Sequence, residues 1–289
     1  MFTRRELLLA SAAAAFASEA GAAERADKAL KRIHERIGGR LGVHVLDSQS
    51  GRRIGIDDDS RYAMASTFKL PLAAALLWQV DREAFSLERA MPIAKTDLVP
   101  YAPAVEAKLA AGATSMTIRE LCAAILTVSD NAAANLLLKG IGGPSALTAF
   151  MRTLGDTTTR LDRFEPALNT NQPGDPRDTT TPRAMADSML KMFTEDVLSL
   201  PSRALLIDWM AAASTGLERV RAGLPKSWNP GDKTGSGENG AINDLVIAYP
   251  PGRRPIFIAV YMSESKLSTA ELNAVHAEIG GIVARERWK

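Results

Sequence analysis

The strand-forming stretches of this chain sit near its two ends, and the sequence between them reads as helix. "RLGVHVLD" and "RRIGIDD", joined by "SQSG", have the alternation and turn chemistry of a β-hairpin. Far downstream, "WNPGDKTGSG" leads into "AINDLVIAY", and "PPGRR" turns into "PIFIAVYMS". A lone hairpin is marginal in water, so the two ends need each other to build a sheet of useful size. The chain is therefore expected to be α/β: an antiparallel sheet flanked by helices, made from residues 23–65 and 213–289, with an all-α domain over 66–212 inserted into it.

Local signals support the helical readings. "AERADKALKRIHERIGG" carries Ala29, Ile33 and Ile37 at helical spacing and stops at Gly38. Thr117 with Glu120, and Ser268 with Glu271, are capping boxes. Thr181 followed by Pro182 starts another helix. "NAAANLLLKG" is expected to end at Gly140. Ser66 is expected to open the apolar helix "STFKLPLAAALLW", with a backbone hydrogen bond lost at Pro71. Residues 156–181 are irregular, and a loop that long in a compact chain is usually functional or disordered.

At the N-terminus, Arg4 and Arg5 precede an apolar run and small-residue sites such as Ala20-Gly21-Ala22. Residues 1–22 read as an export signal, and "TRREL" also fits a twin-arginine signal loosely, which places the mature protein in the periplasm. After signal removal no membrane association is expected. A net charge of +2 gives no footprint for nucleic acid. The single cysteine, Cys122, excludes an internal disulfide and reads as a small core residue. His34, His44 and His276 have no metal-ligand spacing, and no metal or other cofactor is expected.

One charge stands out. Lys69 is the only charged residue from 69 to Trp78, and an unpartnered buried ammonium is expensive. Ser66 lies three residues earlier, a spacing that puts both side chains on one helix face. A serine beside a lysine is a candidate nucleophile and base. S-x-x-K also occurs at Ser188/Lys191 and Ser263/Lys266, without supporting motifs. Ser66 has company: "SDN" at Ser129, Asp130 and Asn131, "KTG" at Lys233, Thr234 and Gly235 followed by Ser236, and "RFEPALN" supplying Glu165 and Asn169.

This set, in this order from about residue 25 to the C-terminus, resembles the class A serine β-lactamases. The resemblance implies a β-lactamase/transpeptidase-like fold with the active site between the two domains, acting as a monomer on a small-molecule β-lactam. It implies that Ser66 is the nucleophile, with an oxyanion hole at the backbone N–H groups of Ser66 and Ser236. Lys69 or Glu165 is the acylation base, and Ser129 delivers a proton to the leaving nitrogen. Asn131 holds the substrate's side-chain amide, and Lys233, Thr234 and Arg219 hold its carboxylate. Tyr101 forms a wall. Glu165 with Asn169 activates the deacylating water, and an Arg163–Asp178 ion pair clamps their loop.

Two departures are visible. Many relatives place an arginine on the strand after K-T/S-G, where Ile242 stands here, and Arg219 matches a substituting arginine. Some carbapenem-hydrolysing relatives carry a disulfide at the places of Phe68 and Gly237, so that bridge is absent. The alternatives on the same fold are a D-Ala-D-Ala peptidase or transpeptidase and a penicilloyl-binding sensor. Both would lack the Glu165/Asn169 pair.

Overall fold

The computed structural model describes residues 26–288; the export-signal reading of residues 1–22 lies outside them. Helix α1 (26–36) leads into strands β1 (Arg40–Asp47) and β2 (Arg53–Ile56). The strands β3 (Tyr62–Ala63) to β6 (Thr179–Thr180) form two short ladders, β3 with β6, and β4 (Ala90–Pro92) with β5 (Ser115–Thr117). Helices α2 (Lys69–Val80), α3 (Pro103–Ala110), α4 (Ile118–Thr127), α5 (Asn131–Ile141), α6 (Pro144–Thr153), α7 (Pro182–Thr194) and α8 (Leu200–Ala211) fill the middle of the chain. Then come α9 (Val220–Gly223), β7 (Gly231–Ser236), β8 (Ile242–Ala248), β9 (Ile256–Ser263) and α10 (Thr269–Arg285).

The main sheet runs β2-β1-β9-β8-β7, antiparallel throughout. Its centre is the pairing of the two chain ends, from Arg40↔Ser263 to Asp47↔Ile256. β9 is apolar at nearly every position because both faces of the sheet are covered. Ile256, Ile258, Val260 and Met262 pack with Ile33 of α1, Val220 of α9 and Ile279 of α10. Phe257, Ala259 and Tyr261 point the other way, into a core with Leu72 of α2, Met189 of α7 and Met210 of α8. Cys122 is buried in that second core, on α4.

The expected caps are present. Thr117 and Ser268 each close a capping box with Glu120 and Glu271, and Thr181 accepts from the Ala184 N–H. Two expectations are corrected. Ser66 does not begin the α-helix; it lies in a 3₁₀ turn, Ala65–Phe68, and α2 starts at Lys69. Pro71 therefore falls in the first turn of α2, where N–H groups have no intrahelical partner, so no helical bond is lost there. Helix α5 runs past Gly140 to Ile141 and is closed by Gly142 at φ 102°. The Gly142 and Gly143 N–H groups satisfy the last carbonyls, Lys139 and Leu138, which Gly140 inside the helix could not do. Among the described residues, no helix is long and apolar enough to cross a membrane.

His276 of α10 is fully buried. Its Nδ1–H donates to the Leu272 carbonyl at 2.8 Å, and Nε2 has no partner among the described residues. Burial, and then the charge of Arg219, push its pKa from 6.5 down to about 3. The unfolded chain thus binds a proton that the folded chain refuses between those values, so stability falls as pH drops through that window. At about 1.36 kcal/mol per unit, the histidine should cost roughly 2–3 kcal/mol two units below 6.5. Urea titrations of wild type and His276→Leu at pH 7 and 4.5 should show the variant losing less stability on acidification by about that amount. Equal losses would refute the assignment.

Candidate active site

The sheet's edge strand β7 packs directly on the 3₁₀ turn that carries Ser66. A Cβ on Gly235 would lie 2.7 Å from the Met64 carbonyl and 3.1 Å from Thr67 Cγ2, so the strand could not approach this closely with any side chain there. Asn243 of β8 pins the same turn, its Nδ2 donating to the Ala63 and Met64 carbonyls at 2.9 and 3.1 Å. The Thr67 hydroxyl anchors it from within, donating to Met64 O at 2.8 Å. Ala65, just before Ser66, is held at φ 44°, a left-handed backbone that a larger side chain would resist.

Lys69 is fully buried one turn beyond Ser66. Its ammonium lies 2.9 Å from Ser66 Oγ, 2.5 Å from Asn131 Oδ1, 2.8 Å from the Ser129 carbonyl and 3.2 Å from Glu165 Oε1. Burial lowers its pKa, and Glu165 works against that shift. Ser66 Oγ is itself 3.3 Å from Glu165 Oε1. Ser129 Oγ stands between two lysines, 3.3 Å from Lys69 Nζ and 3.0 Å from Lys233 Nζ. Lys233 is also fully buried, and burial followed by the Lys69 charge takes its pKa well below the usual value. Both lysines are therefore more easily deprotonated than a surface lysine.

The S-D-N segment is built by the junction of α4 and α5. Asp130 caps α5 through the Ala133 N–H at 2.8 Å and accepts the Ala104 and Val105 N–H groups of α3 at 2.8 and 3.0 Å. Ser129 takes φ 60° to make this corner. Tyr101, at φ 64° and 59% exposed, lines the opening, and its carbonyl accepts the Asn131 N–H.

The loop from 156 to 181 brings Glu165 in from the other side. Arg163 Nε and Asp178 Oδ2 pair at 2.5 Å, and Asp178 Oδ1 accepts the Asp162 and Arg163 N–H groups at 2.7 and 2.9 Å. This closes the loop at its base. Asn135 of α5 grips the Glu165 backbone on both polar groups, at 2.9 and 3.0 Å. Asn169 Nδ2 donates to Glu165 Oε2 at 2.5 Å, while Asn169 Oδ1 is buried with no partner among the described residues.

Ser66, Tyr101, Ser129, Asn131, Asn169, Ser214, Thr215, Arg219, Thr234 and Ser236 line one cleft of about 560 Å³, with Lys69, Glu165 and Lys233 buried beneath it. Gly235 does not line the cleft; it makes room for the turn below. Arg219 is only 5% exposed. Its guanidinium donates to the Gly235 and Asn243 carbonyls at 3.0 and 2.6 Å and to Ser236 Oγ at 2.8 Å. Sequence reasoning missed Asn135, Asn243 and the hydroxyls of Ser214 and Thr215. Asn135 left a signal as a polar residue one turn after Asn131 in the apolar "NAAANLLL". The hydroxyls left none, because nothing local ties them to Thr234, whose Oγ1 is 2.7 Å from that of Thr215.

The family model described as "Beta-lactamase enzyme family" matches residues 25–286. The β-lactamase L2 of Stenotrophomonas maltophilia is 42% identical over 281 residues, covering 96% of this chain and 92% of that protein. The carbapenem-hydrolyzing β-lactamase KPC of Klebsiella oxytoca is 45% identical over 231 residues, covering 80% and 78%. The solved structure of an ancestral class A β-lactamase superposes with a TM-score of 0.87 at 50% identity, covering 89% of this chain and 98% of that one.

Asp130 offers a direct test of how the site is held. Asp130→Ala would leave three N–H groups, two of them buried, without an acceptor, at roughly 1–3 kcal/mol for each buried one. Thermal and denaturant unfolding should show a loss of about 3 kcal/mol or more. A loss below about 1 kcal/mol would mean that Asp130 neither caps α5 nor ties α3 to it.

Proposed function

The chain belongs to the class A serine β-lactamases, hydrolases that open the β-lactam amide, and we propose that Ser66 performs this reaction as nucleophile with Glu165 as the base of the hydrolytic step. Ser66 Oγ attacks the β-lactam carbonyl carbon, giving up its proton to Lys69 or to Glu165. Both groups stand within hydrogen-bond reach of Ser66 Oγ, and lowered basicity makes the neutral form of Lys69 accessible. The developing oxyanion is bound by the N–H groups of Ser66 and Ser236. As the C–N bond breaks, the ring nitrogen takes the proton of Ser129, whose hydroxyl is held against Lys233 and can be resupplied through the lysines.

The product of this step is an ester on Ser66. Glu165 takes a proton from water as the water attacks that ester, and the same proton passes, directly or through Lys69, to Ser66 Oγ as it leaves, which restores the Glu165 carboxylate. The observation that carries the reading is the geometry of Glu165. One carboxylate oxygen faces Ser66 and the other is held by Asn169, whose Oδ1 remains a buried acceptor beside them. Such a set can hold a water against an acyl-serine, which a transpeptidase that transfers the acyl group to an amine, or a penicilloyl sensor that keeps it, would not need.

Penicillins and cephalosporins are the substrate class. Their carboxylate meets Thr234, Ser236 and Lys233. Arg219 acts through Ser236: its guanidinium occupies the hydroxyl's acceptor side, which turns the O–H toward the carboxylate. Asn131 binds the side-chain amide and Tyr101 walls the opening. The enzyme is read as a monomer, and the export-signal pattern of residues 1–22 fits a periplasmic one.

Intact-protein mass spectrometry after mixing with benzylpenicillin tests the assignment. Glu165→Ala should hold a penicilloyl adduct, because general-base help worth about 10²–10⁴-fold is gone. Wild type should show little adduct at the same time, and Ser66→Ala none. A long-lived adduct on wild type would favour the sensor or peptidase. Full turnover by Glu165→Ala would transfer the base role to another group.

A further inference from the structure

The turn that carries Ser66 lies across one row of the main sheet. The register sets Gly42, Tyr261, Asn243 and Gly235 side by side on β1, β9, β8 and β7. Residues paired across antiparallel strands present their side chains on the same face. The ends of this row are glycines. A Cβ on Gly42 would lie 2.5 Å from the Tyr62 ring, and one on Gly235 2.7 Å from the Met64 carbonyl, so the segment leading into Ser66 can settle directly on the sheet. Between the glycines, Tyr261 and Asn243 reach the same segment with polar groups.

Both polar groups converge on one carbonyl. Asn243 Nδ2 donates to Met64 O at 3.1 Å, as well as to Ala63 O. Asn243 Oδ1 accepts the Met262 N–H at 3.3 Å, which keeps the carboxamide turned with its donors toward the segment. Tyr261 Oη lies 3.1 Å from Thr67 Oγ1. The Thr67 hydroxyl gives its one proton to Met64 O, so Tyr261 is the donor in that pair. Burial raises the Tyr261 pKa, and the phenol keeps its proton. Asn243 and Tyr261 are both fully buried, so solvent does not compete for these bonds.

The oxyanion hole is divided between the two pieces that this row joins. One N–H belongs to Ser66 on the turn, and the other to Ser236 on β7, next to Gly235 of the row. Each must stand about 2.7–3.1 Å from the oxygen that becomes negative. Their spacing therefore depends on how high the turn rides above the sheet. We propose that Asn243 and Tyr261 are positioning residues that set this height, and with it the spacing of the Ser66 and Ser236 N–H groups at the transition state. Neither residue lines the cleft; both act through the backbone of Met64 and the hydroxyl of Thr67. The proposal rests on the roles given above to the two N–H groups.

Three variants test it. Tyr261→Phe removes one oxygen and keeps the shape, so it should fold. Asn243→Ala and Asn243→Ser remove the carboxamide, and thermal unfolding checks all three. Steady-state kcat/KM would be measured with benzylpenicillin. Inhibition by phenylboronic acid reports on the transition state, because its boron takes up Ser66 Oγ and becomes tetrahedral with an oxygen in the oxyanion hole. The Kd of intact benzylpenicillin, measured with each change added to Ser66→Ala, reports on the ground state.

Tyr261→Phe should lower kcat/KM and boronate affinity together by roughly 2- to 10-fold, the effect of one hydrogen bond. Asn243→Ala should lower both by roughly 10- to 100-fold, toward the loss seen when an oxyanion donor is removed outright. The ground-state Kd should stay within about twofold, since the bonds at stake strengthen only as the oxyanion forms. The Tyr261→Phe/Asn243→Ser double variant should lose less than the two single effects combined, because both act on the Met64 carbonyl. A purely structural role would lower the unfolding temperature and leave the split between boronate and penicillin affinity unmoved. A folded Tyr261→Phe with unchanged kcat/KM and boronate affinity, on a wild type that turns over normally, would overturn the proposal whether or not the Asn243 variants fold. A wild type that never forms an acyl adduct would instead remove the reading of Ser66 on which it depends.

Discussion

The burial of one ammonium group organises the site. Lys69 has no exposed surface, and an ion in that position is tolerable only when its protons and charge are met on every side. Its partners come from three places in the chain: Ser66 one turn earlier, Ser129 and Asn131 at the α4–α5 junction, and Glu165 in the long loop. None of these can withdraw without leaving a charge in a dry interior, a change that typically costs about 3–5 kcal/mol. The requirement that solvates Lys69 is the same one that brings the proposed nucleophile, proton donor and second base within hydrogen-bond distance. Stability and chemistry are coupled here through a single group.

The surrounding framework exists to make that gathering rigid. Carboxamides do much of it: Asn135 on the backbone of Glu165, Asn243 on the backbone before Ser66, Asn169 on the Glu165 carboxylate. A carboxamide offers a donor and an acceptor on one planar head and carries no charge, so it can fix a loop inside the protein without adding another ion to desolvate. Where charge is used, at Arg163–Asp178 and at Arg219, it ties backbone segments that would otherwise spring apart. Three residues around the site, Ala65, Tyr101 and Ser129, accept left-handed backbone conformations, and the packing around them holds that strain.

Much of this was legible in the residues. The terminal placement of the strands, the capping boxes at Thr117 and Ser268 and the isolated lysine after Ser66 are local signals, each with a local physical cause. They were sufficient for the antiparallel sheet, and the motifs that carry the resemblance named most of the residues that line the cleft, Ser214 and Thr215 excepted. The helix start at Ser66 and the stop at Gly140 were misread, because a proline and a glycine each permit more than one outcome and neighbouring contacts choose between them. Asn243 and Thr215 carry no local mark at all; their partners are remote in sequence.

By itself, then, the sequence determined which atoms are available for chemistry and which segments are strand or helix, since side-chain identity, periodicity and capping act over a few residues. The tertiary structure decided how far apart those atoms stand, that Arg219 is buried under Ser236 rather than free at the surface, and that Gly235 serves by the side chain it lacks. Those outcomes depend on close approach between segments separated by tens to hundreds of positions. The physical reason is that packing is a property of surfaces meeting in space, and a hydrogen bond or a missing Cβ has a consequence only once its neighbour has arrived.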